Sequence, residues 1–446
     1  MKSLTLISSI AAAFAIATSV SGQSAQVPAP PQSESLLIHN ATVHAVSDDH
    51  PTAIDAGWVR FEDGRIVSMG EGEPPQAALD DAMLIDAQGL SLVPGFISGP
   101  SQIGLLEVEQ VDATDDRREG ANRSPEAAAW IAINPDSDLI PVARSGGVLH
   151  TLAMPIGGTI PGRASVLRMD GWTTEDLALV RDAGVIVSWP MAAPIRASWM
   201  RRGGGSQRQS IDARLKAIDD WFDDAEAWAA ARAADETTPT DLRFVAMQPV
   251  LNGERPVFIR ADSRGQMETS LAWAAARGLR PVIVGGSAAA ECIPLLQRTD
   301  ASVILTRVHR LPPSRHHAVD RCFTVANALE AAGVPFAIGA EDEPAHEREI
   351  AHNAATAAAH GLSKEAALHA ITRGPAEIIG VGDRLGSIQS GHSATFFLCE
   401  GDPLEVVNQP MRAWIDGREI DLGDRQKRLY GKYREKYRQR GTLKPD

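Results

Sequence analysis

Three short apolar runs, Pro281-Val282-Ile283-Val284-Gly285, Ser302-Val303-Ile304-Leu305-Thr306 and Val334-Pro335-Phe336-Ala337-Ile338-Gly339, are separated by stretches of helical spacing, and their reading decides the fold. Each run has the length and branched-residue content of a buried strand, and strand alternating with helix predicts a parallel α/β architecture. Working outward, five more runs of the same kind lie at residues 93–98, 147–154, 164–169, 184–189 and 256–261. Helices are predicted at 211–234, where Trp221, Ala225, Trp228 and Ala231 recur at helical spacing, and at 364–371, which Ser363 can cap. Eight strand units in this length fit a TIM-type (β/α)8 barrel better than an open sheet.

The flanks read differently. From 36 to 92, alternating runs such as Leu37-Ile38-His39-Asn40-Ala41-Thr42-Val43 and Gly57-Trp58-Val59-Arg60-Phe61 are broken by turns, with Glu62-Asp63-Gly64 as a hairpin signal. A matching set returns at 386–420, in Ala394-Thr395-Phe396-Phe397-Leu398-Cys399 and Met411-Arg412-Ala413-Trp414-Ile415, with Asp416-Gly417 as its turn. Two strand-rich blocks at opposite ends of a chain most simply complete one small β-sandwich around the barrel at 93–385.

The N-terminus opens with Met1-Lys2, a largely apolar run from Leu4 to Ala17, and small residues Ser21, Gly22, Ser24 and Ala25. That layout predicts a signal peptide over 1–25, too short for a membrane span, and hence an exported, periplasmic protein. Residues 26–35, rich in Pro, Gln and Ser, read as a linker with too little apolar content to pack. No later segment approaches the apolar length of a transmembrane helix. Three cysteines, Cys292, Cys322 and Cys399, make no disulfide scaffold and no close-spaced metal motif; either one pair forms or all three are buried thiols.

The 446 residues carry a net charge of −14, from 43 basic and 57 acidic side chains. Asp424 to Arg440 alone holds eight basic and two acidic residues, which leaves the rest near −20. An acidic body excludes a nucleic-acid-binding role. Within the tail, residues 421–446, Tyr430, Tyr433 and Tyr437 fall at helical i, i+3, i+7 spacing. The expectation is packing onto the acidic body or a neighbouring subunit, the alternative a membrane surface.

Leu92-Val93-Pro94-Gly95-Phe96-Ile97, at the end of the first β block, resembles the start of the barrel in the amidohydrolase superfamily, in its imidazolonepropionase-like branch. At the far end, residues 366–381, with Ala370-Ile371-Thr372-Arg373-Gly374-Pro375-Ala376 at their centre, resemble that family's "ALxxITxNPAxxLGV" helix and loop. Gly386-Ser387-Ile388-Gln389-Ser390-Gly391 resembles its "GSIxPGKxAD" return to the sandwich. The resemblance implies hydrolysis of carbon-nitrogen bonds by water activated on a divalent metal, zinc for example, at the C-terminal mouth of the barrel.

Position by position, the implied ligands are missing. The His-x-His pair closing the first strand aligns with Pro100-Ser101-Gln102. The fourth-strand lysine falls within Val185-Ile186-Val187-Ser188, the fifth-strand histidine near Arg260, and the sixth-strand histidine on Gly285-Gly286. Only the eighth-strand acid persists, as Glu341 in place of aspartate. A guanidinium repels a cation and glycine or proline offers no side-chain donor, so no metal cofactor is expected. The polar set facing the mouth is then Gln102, Arg260, Asp262, Glu341 and Asp342. Arg260 and Glu341 can form a structural ion pair. In the functional reading, Arg260, with Gln102 and Asp342, binds a small anionic ligand, while Glu341 or Asp262 acts as acid or base.

His309, His316 and His317, on the loop after the seventh strand, read as part of a polar loop rather than a replacement metal site, since Arg307, Arg310 and Arg315 surround them. Residues 196–208, with Arg201-Arg202-Gly203-Gly204-Gly205, read as a solvated loop or as a mobile lid. Two functions compete. One is a non-metal barrel that binds a small molecule or partners an active relative, with homo-oligomerisation open; the other is a C–N hydrolase working through a rebuilt site.

Overall fold

The structure, a computed structural model, describes residues 26–191, 204–312, 315, 317–340 and 344–442. The predicted signal peptide, most of the 196–208 loop, His316, Glu341 and Asp342 lie outside the described residues. The part of that loop from Gly204 onward is helical, since the helix predicted at 211–234 spans Gly204–Ala234.

The first block supplies β1 (Ser35–Val43), β2 (Ile54–Glu62), β3 (Arg65–Glu71), β4 (Ala82–Asp86) and β5 (Ser91–Pro94). The barrel follows with β6 (Phe96–Ser101), β7 (Val148–Ala153), β8 (Gly162–Arg168), β9 (Ala178–Ser188), β10 (Val257–Ala261), β11 (Pro281–Gly285), β12 (Ser302–Leu305) and β13 (Phe336–Ile338). The chain then returns through β14 (Phe396–Cys399), β15 (Pro410–Ile415) and β16 (Arg418–Ile420).

Both ends of the chain meet by direct hydrogen bonding. Strand β5 pairs antiparallel with β14, Val93 opposite Phe397, inside one continuous sheet of order β16-β15-β14-β5-β1-β2-β3, with β4 added beside β1. Its two halves curl until they face each other. Phe61 on β2 lies edge-on to Phe396 on β14 at 5.1 Å and to Trp414 on β15 at 6.2 Å, and all three are buried. Both predicted hairpin turns place two successive residues in the left-handed region, Asp63 and Gly64 at φ +48° and +77°, Asp416 and Gly417 at +47° and +71°. That is the twist a two-residue hairpin needs.

Residues 26–35 do not hang free as the linker reading expected. Ala29 N donates to the Asp170 carboxylate at 3.1 Å, and Gln32 bridges Gly64 N and Phe61 O at 2.9 and 3.1 Å. Polar side chains seat this segment, so an argument from its apolar content alone misjudged it.

The second sheet has the order β6 to β13 and forms a nearly closed barrel. Residues 370–371 fill the seam between its first and last strands, Ile97 N donating to Ile371 O at 2.9 Å and Ile338 N to Ala370 O at 2.8 Å. One expectation fails: β8 runs antiparallel to both neighbours, with His150 opposite Arg168 and Arg163 opposite Val185. Residues 154–161 and 169–177, which connect it, are shorter than a parallel crossover requires. The capping reading holds, as Ser363 Oγ accepts from Ala366 N at 3.1 Å at the start of Lys364–His369. All three cysteines are buried free thiols, and burial pushes those of Cys292 and Cys399 up to about 11 and about 12.

The basic tail forms the helix Arg425–Gln439, whose N-cap Asp424 accepts from Lys427 N at 2.7 Å. No residue of this helix is buried. It therefore does not lie on its own body, the first of the two packing arrangements expected of it. No helix among the described residues is long and apolar enough to cross a membrane.

Candidate functional site

In a barrel of this kind, chemistry sits where strands deliver side chains at their C-terminal ends. Here a cavity of about 590 Å³ opens at those ends, lined among others by Gln102 after β6, Ser188 at the end of β9, Arg260 on β10, Asp262 just beyond it, Gly285 closing β11 and Thr306 after β12. A second cavity, about 470 Å³, opens at the opposite end around Arg280, Asp300, Glu330 and His369. That face of a barrel serves stability, so the mouth is the candidate site.

Two arginines that the sequence reading did not assign to the site organise the mouth. Arg117 is only 8% exposed and grips Asp115 with two hydrogen bonds of 2.7 Å, while its Nη1 donates to Gln102 Oε1 at 3.2 Å. The hydrogen bonds from Arg117, working against burial, hold the Asp115 carboxyl down at about 2. Gln102 is thus an acceptor engaged by a cation at the position where the family resemblance places an imidazole. Its signal was legible in Asp115-Asp116-Arg117, an acid and a base two residues apart on a loop after the first barrel strand.

Asp262 is held in the same way. Arg310 donates to both its oxygens at 3.0 and 2.8 Å, and Ser287 N adds a third bond at 3.0 Å. Burial works to raise its carboxyl, but the Arg310 and Ser287 hydrogen bonds and the charge of Arg310 outweigh it and keep it below the usual range. A carboxylate so engaged is a poor general base, which counts against the catalytic role the sequence suggested for it. Arg260 and Arg307 complete a lining with four guanidinium groups. The Arg260–Glu341 pair and the Asp342 contact expected from sequence involve residues outside those described.

The sixth-strand position is closed to any side chain. Gly285 has φ +121°, and a Cβ there would sit 2.9 Å from Ala261 O; at Gly286, φ +68°, it would sit 2.6 Å from Val303 Cγ1. Ser188 ends β9 without a lysine, and the next residue, Trp189, turns its indole N–H to Thr269 Oγ1 at 2.9 Å. On the loop after β12, His309 Nε2 lies 2.5 Å from Thr356 Oγ1 rather than turning to a shared centre. Among the described residues, no three His, Cys, Asp or Glu side chains converge as cation ligands. At the places where the resemblance implies imidazoles stand an amide held by a guanidinium, an arginine and two glycines, a donor set that does not fit a divalent metal.

Residues 284–423 match the model of the amidohydrolase family, a stretch from the last residues of β11 to the return into the first sheet. The chain is 25% identical over 429 residues to the amidohydrolase tasK of Hapsidospora irregularis. That alignment takes in 85% of this chain but only 42% of the relative, so the chain spans about two fifths of the relative's length. Among solved structures, an amidohydrolase from Thermotoga maritima MSB8 superposes with a TM-score of 0.74 at 25% identity, over 86% of this chain and 99% of that one. Molinate hydrolase, at 16% identity and a TM-score of 0.53, over 89% of this chain and 96% of its own, shares the fold alone. Joined to the motifs at both barrel boundaries, these likenesses make the chain similar to amidohydrolases in sequence over 284–423 and in fold over most of its length.

Proposed function

We propose that this chain is an exported, imidazolonepropionase-like barrel that binds a small molecule at its mouth and does not carry out metal-dependent C–N hydrolysis. The observation that supports this most is the closed sixth-strand position, where Gly285 has neither the backbone conformation nor the space for an imidazole. The Asp115–Arg117–Gln102 chain adds to it, because it fills the first-strand ligand position with a fixed cation. A mouth of about 590 Å³ lies within the size range of small-molecule sites. Export rests on the layout of residues 1–25.

A curated relative more than twice as long supports a form of this reading in which the barrel works beside a second unit. The test combines metal analysis of protein purified without chelators, a hydrolysis screen on amides and cyclic amides with and without added zinc, and a thermal-shift screen of small acids. We expect no stoichiometric metal, no zinc-dependent turnover, and stabilisation by at least one compound. One zinc or manganese per chain with metal-dependent turnover would overturn the proposal.

A further inference from the structure

The basic tail helix plays no part in the barrel mouth, and its surroundings point to a purpose of its own. Tyr430, Tyr433 and Tyr437 are 69%, 47% and 46% exposed along one stripe, with Leu429 beside them. The ammonium groups of Lys432 and Lys436 lie over the Tyr433 ring at 5.9 and 5.4 Å, so aromatic surface and positive charge are presented together. A helix of 15 residues is marginal in water without packing.

This helix cannot turn back onto its own body without losing its base. Asp424 is only 2% exposed and caps the first turn, Lys427 Nζ donates to Leu422 O at 2.8 Å, and Arg425 and Arg428 reach Asp138 at 3.8 and 4.0 Å. Anchored there, the stripe faces solvent. Among the described residues nothing covers it, which leaves it open to another molecule.

We propose that this molecule is a second copy of the chain, the tail helix of each copy docking on the acidic body of the other. Charge complementarity selects it, since the tail carries an excess of six positive charges and the remainder about twenty negative ones. The face we assign to it is on Gly204–Ala234, where Asp212 and Asp224 are exposed beside Asp219, Asp220, Asp223 and Glu226, which Arg277 and Lys216 already engage. Residues 212–226 and the tail helix each run about 22 Å at the helical rise. A reciprocal exchange closes with two-fold symmetry, leaving no tail free to recruit a third copy. A membrane occupant fits less well, because the stripe has no Trp and a single Leu to insert.

Sedimentation velocity on the full chain across the micromolar range, at low and high salt, tests this. The expected result is a dimer at low salt that dissociates as salt rises. Tyr430→Ser/Tyr433→Ser/Tyr437→Ser should be monomeric with an unchanged urea midpoint, and Asp212→Lys/Asp224→Lys should weaken the dimer on the order of tenfold. A wild type that stays monomeric, or a dimer indifferent to the tyrosine variant, would overturn the proposal. So would a monomeric wild type that binds anionic phospholipid vesicles through the tail. A dimer lost in the tyrosine variant but untouched in the aspartate variant would overturn the pairing with that face.

Discussion

Asp170 ties together parts of the chain that are far apart in sequence, and its removal gives a sharp stability test. Its carboxylate, 2% exposed, takes Arg144 Nη1 at 2.5 Å and Arg418 Nη1 at 3.1 Å, and it accepts Ala29 N at 3.1 Å. Arg144 is 4% exposed and Arg418 19%, and Arg144 Nη2 also donates to Gln26. One acid thus joins the N-terminal segment, the helix Leu139–Ser145 and the last hairpin of the first sheet. Burial draws the Arg144 guanidinium down, chiefly against the charge and hydrogen bond of Asp170, so without this partner a buried cation loses most of its compensation. Breaking a buried pair from one side costs about 3–5 kcal/mol. Asp421 also lies close enough to Arg144 to compensate in part, which places Asp170→Asn near the low end of that range. Urea denaturation followed by tryptophan fluorescence measures the loss. An Asp170→Leu/Arg144→Met/Arg418→Met variant, apolar at all three positions, should recover most of the stability. An Asp170→Asn stability within about 1 kcal/mol of wild type would refute the argument that the buried Arg144 depends on Asp170 for its compensation.

Other outcomes follow from single features of the fold. Burial, opposed by Asp416 and aided by Arg168, pushes the His150 imidazole down to about 4 from 6.5, so between those values the unfolded chain binds a proton that the folded chain refuses. Stability attributable to His150 is therefore complete above pH 6.5 and falls by up to about 3 kcal/mol as pH drops to 4; parallel stability-pH curves for wild type and His150→Gln would contradict it. Gly285→Ala should cost about 1–3 kcal/mol, because φ +121° and the nearby Ala261 carbonyl both oppose a Cβ, and an unchanged melting point would show the strand end to be more pliable. Phe61→Ala should cost about 3–5 kcal/mol and accelerate amide exchange throughout 394–420, since its ring packs on Phe396 and Trp414. Exchange rising only near residue 61 would mean that the two ends do not share a core.

All eight barrel strands were visible in sequence as apolar runs, because buried strands need branched residues wherever they lie. Strand direction was less visible. A run such as Ala164-Ser165-Val166-Leu167 reads the same in either direction, and only the short connectors 154–161 and 169–177 betray the reversal of β8. At the mouth, the places of Gln102 and Gly285 were legible because each follows or closes an apolar strand run. The Asp262–Arg310 pair was not, since it joins loops whose approach depends on the closed barrel. The tail helix was predictable from tyrosine spacing. Its lack of cover was not, because that depends on where the Asp424 cap aims it.

The reversed strand also limits how this barrel can be re-engineered. In an all-parallel barrel the segment after each strand emerges at the mouth, so loops can be exchanged between relatives strand by strand. Here the segment after β8 emerges at the opposite end, and its place at the mouth is taken by residues 154–161, a hairpin loop clamped to β9 where Ser188 N donates to Thr159 O at 2.8 Å. Ile156 from this loop lines the cavity. A third-strand loop grafted by sequence position would be built on the wrong side of the molecule, whereas changes to the hairpin tip would reshape the mouth directly.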